Sequence, residues 1–146
     1  MKIKLGKRLQ QIFELIGNEY TQAWDTCCDH GKLGLALLEN KSVEKVHFVD
    51  QVPKIMQKLQ YKIDNIASIN KSSYELHTIG AQGILIEDCP SIVCVCGVGG
   101  DVAKDIIKHI QNMNDLRSHD LLISAHYHMY ELRDFLKENG FKSKKE

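Results

Sequence analysis

Two aspartates, Asp25 and Asp50, each follow a short apolar run and are predicted to lie at strand ends, with that of Asp50 exposed. A carboxylate there can accept hydrogen bonds from both hydroxyls of a ribose, which is how nucleotide-type cofactors are commonly held. The glycine fingerprint G-x-G-x-x-G is missing from the first turn, so an oxidoreductase using NAD or FAD is the least favoured interpretation. The alternative for both aspartates is that they only cap turns or helices.

Polar and aromatic residues follow two of the apolar runs. Asp29 and His30 come shortly after the first run, and His126, Tyr127 and His128 come after the last. A ring at the latter position could stack on a flipped nucleic acid base. His126 and His128 have an i, i+2 spacing that two ligands of one metal ion can adopt. No third ligand is evident, so no metal site is predicted.

Length and composition restrict the class of protein. The 146 residues fit a single domain over 1–146, and 43% of them are hydrophobic. Nineteen basic and nineteen acidic residues give zero net charge, which excludes a polybasic coat for DNA and an acidic disordered tail. No apolar run is long enough to span a membrane, so no membrane partner is expected. Five cysteines without a C-x-x-C motif favour reduced thiols and a cytoplasmic location over a disulfide framework or zinc ribbon.

Strand patterns alternate with helix patterns along the chain. Strands are predicted at residues 23–25, 46–49, 74–78, 92–96 and 121–123. Five helices are predicted. The first ends near Gly17, the second covers 30–39 and the third begins at Pro53. The fourth carries an apolar stripe from Val102 to Met113, and the fifth covers 130–139 and is stopped by Gly140. This alternation predicts an α/β fold with a Rossmann-like, doubly wound, mainly parallel sheet preceded by an N-terminal helix. Ligands of such sheets bind outside the carboxyl ends of the strands, where the strand order reverses.

Five segments together resemble the bacterial tRNA adenine-N1 methyltransferases that modify adenine 22. They are DTCCDHGKLG at 25–34, VDQVP at 49–53, IGAQG at 79–83, VCGVGGD at 95–101 and LRDFLKENGF at 132–141. The family's Asp-x-Gly-Ser-Asp-His motif is matched by Asp25, Asp29 and His30. Its Gly-Met-Gly-Gly motif is matched by Gly97, Gly99 and Gly100, with Val98 in place of methionine. The resemblance covers nearly the whole chain and implies a class I methyltransferase that uses S-adenosyl-L-methionine (SAM) and has tRNA as its partner.

The resemblance also implies roles for individual residues. Those expected to bind SAM are Asp25, Cys27, Gly31, Asp50, Gln51, Ala81, Gln82, Gly97, Val98 and Gly99. Asp29, His30 and His126 are the expected catalytic residues. The carboxylate of Asp29 would stabilise the cationic methylated ring, whereas Asp101 is more typical of the first turn of a helix.

Several positions depart from the family pattern. Cys27 replaces a glycine, Gly80–Gly83 lack the family's aspartate, and Ser124-Ala125-His126 replace Gln-Pro-Asn. The chain is also expected to lack the usual C-terminal hairpin and helical extension. Two alternatives therefore stay open, which are a SAM-dependent methyltransferase with another substrate and a degenerate, non-catalytic SAM-fold binding protein.

Basic residues are clustered near both termini. One cluster is Lys2, Lys4, Lys7 and Arg8, and the other is Lys137, Lys142, Lys144 and Lys145. If both clusters flank the strand ends they would form a footprint for tRNA phosphates, and otherwise they are solvated termini.

Overall fold

A computed structural model of the protein describes residues 3–145, so Lys2 of the N-terminal basic cluster lies outside the described residues. The helices are α1 (Lys7–Ile16), α2 (Lys32–Glu39), α3 (Pro53–Asp64), α4 (Gly100–Met113) and α5 (Met129–Glu138). The strands are β1 (Gln22–Thr26), β2 (Lys45–Val49), β3 (Tyr74–His77), β4 (Ser91–Gly99) and β5 (His119–His126). Single 3-10 turns cover Lys71–Ser73, Ala81–Gly83 and Leu116–Ser118.

The five strands form one parallel sheet in the order β3-β2-β1-β4-β5. The chain moves outward from β1 to β3 and then returns to place β4 against the other side of β1. The predicted Rossmann-like, doubly wound fold is therefore confirmed. The order reverses between β1 and β4, and this is the position at which a ligand crevice is expected.

Helices cover both faces of the sheet and create two apolar clusters. One contains residues of α1, α2 and α3, together with Cys94 and Cys96 of β4. The other lies under α4 and α5 and contains Trp24, Val93 and Val95. The first six residues of β4 are buried, as expected of a central parallel strand covered on both faces. Cys94 and Cys96 are thus small core residues.

The helices begin and end close to the predicted residues. Gly17 follows α1 with a φ of 66°, Pro53 is the first residue of α3, and Gly140 follows the end of α5 with a φ of 84°. Within residues 3–145, no helix is both long and apolar enough to cross a bilayer.

Strand β4 differs from its prediction at the carboxyl end. The apolar pattern predicts an end at Cys96 followed by a glycine-rich loop, but the strand continues to Gly99 through an irregularity at Gly97. Gly97 has a φ of 77°, a backbone conformation that a residue with a Cβ rarely adopts. Beyond it the ladder with β5 resumes, pairing Val98 with Ala125 and Gly99 with His126. The long neighbouring strand therefore extends the ordered backbone past the point where the apolar pattern stops.

Candidate active site

A compact turn connects β1 to α2 at the carboxyl edge of the sheet. Cys27, Asp29 and Gly31 have φ values of 55°, 49° and 72°, so three residues of this short segment are left-handed. The Cys28 amide donates a hydrogen bond to the Val49 carbonyl oxygen at 3.0 Å. The turn is therefore attached to the end of β2. Cys27 stands at a position whose backbone conformation favours glycine, which is the residue that the family pattern has there.

Asp50 holds two loops together with one carboxylate. Its Oδ2 accepts a hydrogen bond from the Asp29 amide at 3.2 Å, and its Oδ1 accepts one from the Val52 amide at 3.0 Å. The residue is half-buried rather than exposed, which corrects the expectation of an exposed strand end. Each carboxylate oxygen keeps a free lone pair for a further donor such as a ribose hydroxyl.

Asp25 lies beneath the turn and is 5% exposed. Its Oδ2 accepts a hydrogen bond from the Gly34 amide at 3.0 Å, near the start of α2. Burial, with a smaller effect from the negative charge of Asp50, raises the pKa of the Asp25 carboxyl to about 7, against the opposing effect of the Gly34 amide. Asp25 thus supports the turn from inside, through its hydrogen bond with the Gly34 amide.

The two thiols in this turn are poor nucleophiles. Burial raises the pKa of Cys27 and, more strongly, that of Cys28, and the carboxylates of Asp25 and Asp50 act in the same direction. A thiolate is therefore disfavoured at both positions near neutral pH.

The loops after β4 and β5 are in direct contact. The Gly100 amide donates a hydrogen bond to the Tyr127 carbonyl oxygen at 3.1 Å. A Cβ on Gly100 would lie 2.5 Å from that same oxygen, so only glycine permits this approach. His126 pairs with Gly99 and is exposed, and the Tyr127 side chain is 83% exposed. An imidazole and a phenol ring are thus presented beside the glycine motif of β4.

The segment after β3 brings two carboxamides together. A Cβ added to Gly80 would lie 2.9 Å from Gln82 Oε1 and 3.8 Å from Gln51 Oε1, so both side chains approach this glycine. Gln82 Nε2 also donates to Asp105 Oδ2 on α4 at 3.1 Å. Ala81 is 5% exposed and packs into the core under α4, where its side chain is not available to a ligand.

Asp29 and His30 point away from the core. Their side chains are 63% and 73% exposed, and Asp29 Oδ1 lies 3.8 Å from His30 Nε2. Both belong to the loop after β1, whereas His126 ends β5, two strand spacings or about 10 Å away across the sheet. The structure therefore places the expected catalytic residues on one edge of the sheet, in two groups separated by the end of β4.

Arg8 and Lys144, one residue from each basic cluster, lie at opposite ends of β5. Arg8 of α1 donates from Nη1 to Ser124 Oγ at 3.3 Å, close to the carboxyl end of β5. Lys144 Nζ instead pairs with Asp120 Oδ2 at 2.8 Å, near the amino end of the same strand. Lys144 of the C-terminal cluster therefore does not meet the condition that both clusters flank the carboxyl ends of the strands. Strand order and helix direction decide this placement, which charge runs alone do not indicate.

One contributor to the site was missed by sequence reasoning. Asp105 of α4 orients Gln82, and no motif or spacing in the sequence indicates this residue. Ser124 belongs to the segment that departs from the family pattern, but its contact with Arg8 was not predicted.

Comparisons with known proteins agree with this fold. The sequence profile of the family described as "Methyltransferase domain" matches residues 5–146. Among solved structures, a protein of the NADB-Rossmann superfamily from Streptococcus agalactiae superposes with a TM-score of 0.84 at 19% identity, over 99% of this chain and 63% of that one. TrmK of M. capricolum, solved with S-adenosyl-homocysteine, gives 0.77 at 20% identity over 96% of this chain and 60% of its own. The B. subtilis m1A22 tRNA methyltransferase TrmK superposes with a TM-score of 0.77 at 18% identity, over 94% of this chain and 57% of its own.

These relatives are longer than the chain, which spans roughly three fifths of their length. No curated protein sequence matches it significantly. Because the identities are low, the structural matches establish the fold alone. The family profile, in contrast, matches nearly the whole chain and therefore shows the family. The chain belongs to the methyltransferase domain family.

Proposed function

We propose that this chain transfers the methyl group of SAM to N1 of an adenine in tRNA. The observation that carries the proposal is the hydrogen bond from the Asp29 amide to Asp50 Oδ2, which joins the motif turn after β1 to the carboxylate after β2 at the switch point of the sheet. The methyltransferase domain match supports the reaction class, and the B. subtilis relative supports the acceptor. The M. capricolum relative binds S-adenosyl-homocysteine, the compound that remains when SAM has lost its methyl group.

The residues at the crevice suit the polar groups of SAM. Asp50 has free lone pairs for the ribose hydroxyls, and Gln51 and Gln82 offer amide donors and acceptors to the adenine at Gly80. The exposed left-handed backbone at Gly97 leaves room for a ligand to approach the end of β4. Cys27 does not fit, since its side chain occupies space where the family has only a hydrogen, and the side chain of Ala81 is buried away from the crevice.

The proposed reaction asks little acid–base chemistry of the protein. SAM supplies a methyl group that its sulfonium already activates. Adenine N1 carries its own lone pair, so the chain's residues mainly orient the base. The exposed Asp29 carboxylate stabilises the positive ring that forms and accepts a proton from the exocyclic amine, with His30 positioned 3.8 Å away to relay it. His126 and Tyr127 offer the rings on which the base stacks.

RNA contact is assigned to the α1 side of the crevice. Lys4, Lys7 and Arg8 lie on or before α1, and Arg8 reaches the end of β5. Reversing the charges of Lys7 and Arg8 should lower the affinity for tRNA. The slope of log affinity against log salt concentration should become shallower by about 0.7 to 0.9 for each phosphate that the protein no longer neutralises. The matched control reverses Lys142 and Lys145, which follow α5 toward the other end of the sheet.

The cofactor assignment is tested by calorimetric titration of SAM into wild type and Asp50→Ala. Loss of hydrogen bonds to a charged acceptor costs about 1.5–3 kcal/mol, so affinity should fall roughly 10- to 150-fold. Because Asp50 also holds two backbone amides, Asp50→Asn serves as a milder second variant, and urea unfolding of both separates folding from binding. Unchanged affinity in Asp50→Ala, with wild type binding SAM well, would show that the ribose assignment is wrong.

The acceptor assignment is tested by incubating the protein with SAM and bulk tRNA and measuring 1-methyladenosine by mass spectrometry. Asp29→Ala should lower transfer more than it lowers SAM affinity. Methylation of a different nucleoside would replace the proposed acceptor with another substrate.

A second candidate function is SAM binding without transfer. It is favoured by Cys27, which narrows the turn, and by the position of Lys144 at the far end of the sheet. Tight SAM binding together with no methylation of tRNA would favour this candidate over the proposed reaction.

A further inference from the structure

A second group of polar side chains lies on the face of the sheet covered by α4, away from the turn after β1. Glu75 and His77 are two residues apart on edge strand β3 and therefore project from the same face. His47 on β2 is the direct cross-strand partner of Glu75. Strand pairing alone thus brings two imidazoles and a carboxylate together.

The three ligand atoms converge on one point. His47 Nδ1 lies 2.9 Å from His77 Nε2 and 3.8 Å from Glu75 Oε2, and all three lie within 4.8 Å of one another. Ligands of a tetrahedral zinc ion have bond lengths of about 2.0–2.2 Å, so their donor atoms are separated by a little over 3 Å. Only small side-chain rotations are needed to reach that geometry.

A chain of hydrogen bonds orients the buried imidazole. Gln22 Nε2 donates to Glu87 Oε2 at 3.2 Å, which leaves Gln22 Oε1 to face His47 Nε2 at 2.8 Å. A carboxamide oxygen can only accept, so Nε2 of His47 carries the proton and Nδ1 presents its lone pair to the other two residues. A ligating histidine that donates its second N–H to a carbonyl is the usual arrangement at metal sites.

A lysine lies beside the cluster. Lys45 Nζ pairs with Glu75 Oε2 at 3.1 Å, so a bound ion must displace this half-exposed lysine or use the other carboxylate oxygen.

We propose that His47 Nδ1, His77 Nε2 and a carboxylate oxygen of Glu75 form a binding site for a divalent transition metal of the Zn²⁺ class. Two nitrogen ligands and one oxygen ligand leave a fourth position for water. The sequence prediction of no metal site considered only His126 and His128, whereas these ligands come from two strands that are joined by pairing. This site stands apart from the proposed methyl transfer and does not depend on it.

Trp24 provides a direct optical readout. It is the single tryptophan of the chain, and its ring stacks on His47 with centroids 3.9 Å apart and an interplanar angle of 6°. Titration with Co²⁺ or Ni²⁺, which quench a neighbouring indole, should reduce Trp24 fluorescence to a plateau at one equivalent. Excess Zn²⁺ should displace Co²⁺ and restore the emission.

Three variants assign the ligands. His77→Ala and the conservative Glu75→Gln should each weaken Co²⁺ binding at least tenfold. Gln22→Met removes the partner that orients His47, together with its hydrogen bond to Glu87, and should weaken Co²⁺ binding by about 10- to 100-fold. His109→Ala on the exposed surface of α4 is the matched control and should bind Co²⁺ as the wild type does.

Two results would overturn the site. One is equal quenching in His77→Ala, Glu75→Gln and wild type, which would place the ion elsewhere. The other is a visible Co²⁺ spectrum with thiolate charge-transfer bands, which would assign binding to the cysteines. Circular dichroism of each variant distinguishes lost ligation from lost folding. Glu75→Gln should not disturb folding, because the Glu75 side chain is half exposed, so this variant tests ligation directly.

Discussion

Replacing Asp25 by asparagine should remove a large part of the pH dependence of folding. The wild-type carboxyl has a pKa of about 7 in the folded protein against an ordinary value of 3.8. Because the folded value is the higher one, the native state holds the proton more tightly, and this stabilisation is present below about pH 4 and is lost as pH rises through 7. At about 1.4 kcal/mol for each pH unit between the two values, the wild type should lose up to about 4 kcal/mol by pH 8.

The Asp25→Asn variant keeps an oxygen that can accept the Gly34 amide but has no charge to bury. It should therefore have similar stability to the wild type near pH 4 and be more stable by up to about 4 kcal/mol near pH 8. Urea unfolding followed by circular dichroism at several pH values measures this difference. The control is Asp101→Asn, which alters an exposed carboxylate in the first turn of α4. A stability difference between Asp25→Asn and wild type that is independent of pH would refute the reasoning.

Two further substitutions test the packing around the same turn. Cys27→Gly removes the strain of a left-handed backbone, which costs the wild type roughly 1–2 kcal/mol. The greater entropy of glycine in the unfolded chain, about 0.5–1 kcal/mol, and the loss of side-chain packing act in the opposite direction. Stability should change by under about 1 kcal/mol while SAM affinity rises, and weaker SAM binding in calorimetry would contradict the role given to this side chain. Gly34→Ala places a Cβ in steric conflict with the Phe48 ring and should destabilise the fold by about 1–3 kcal/mol in urea unfolding. Gly6→Ala, where a Cβ meets nothing within 4 Å, should cost far less, and equal effects would argue against tight packing between α2 and β2.

Local sequence signals predicted most of the elements and the location of the site. The periodic apolar residues of the helices, the Pro53 helix start and the continuous apolar run of β4 act over a few neighbouring residues. Such patterns can therefore be read without knowing the fold. The rule that ligands bind at the carboxyl ends of parallel strands then indicated which loops matter.

The same signals failed wherever an interaction joins distant parts of the chain. The Gly97 irregularity follows from pairing with β5, and the position of Lys144 at the far end of the sheet follows from the direction of that strand. His47 and His77 are 30 positions apart and meet only because β2 and β3 pair in a particular register.

The sequence by itself thus determined the α/β alternation, and it predicted that a ligand binds at the switch point among the motif residues. Tertiary structure alone decided which side chains are free to act. It placed Asp25 in the interior, used the carboxylate of Asp50 to hold two backbone amides, and brought the side chains of Gln51 and Gln82 close to Gly80. The physical reason is that burial, charge and hydrogen bonding depend on what packs nearby in space, and residues far apart in the chain leave no joint pattern in the sequence.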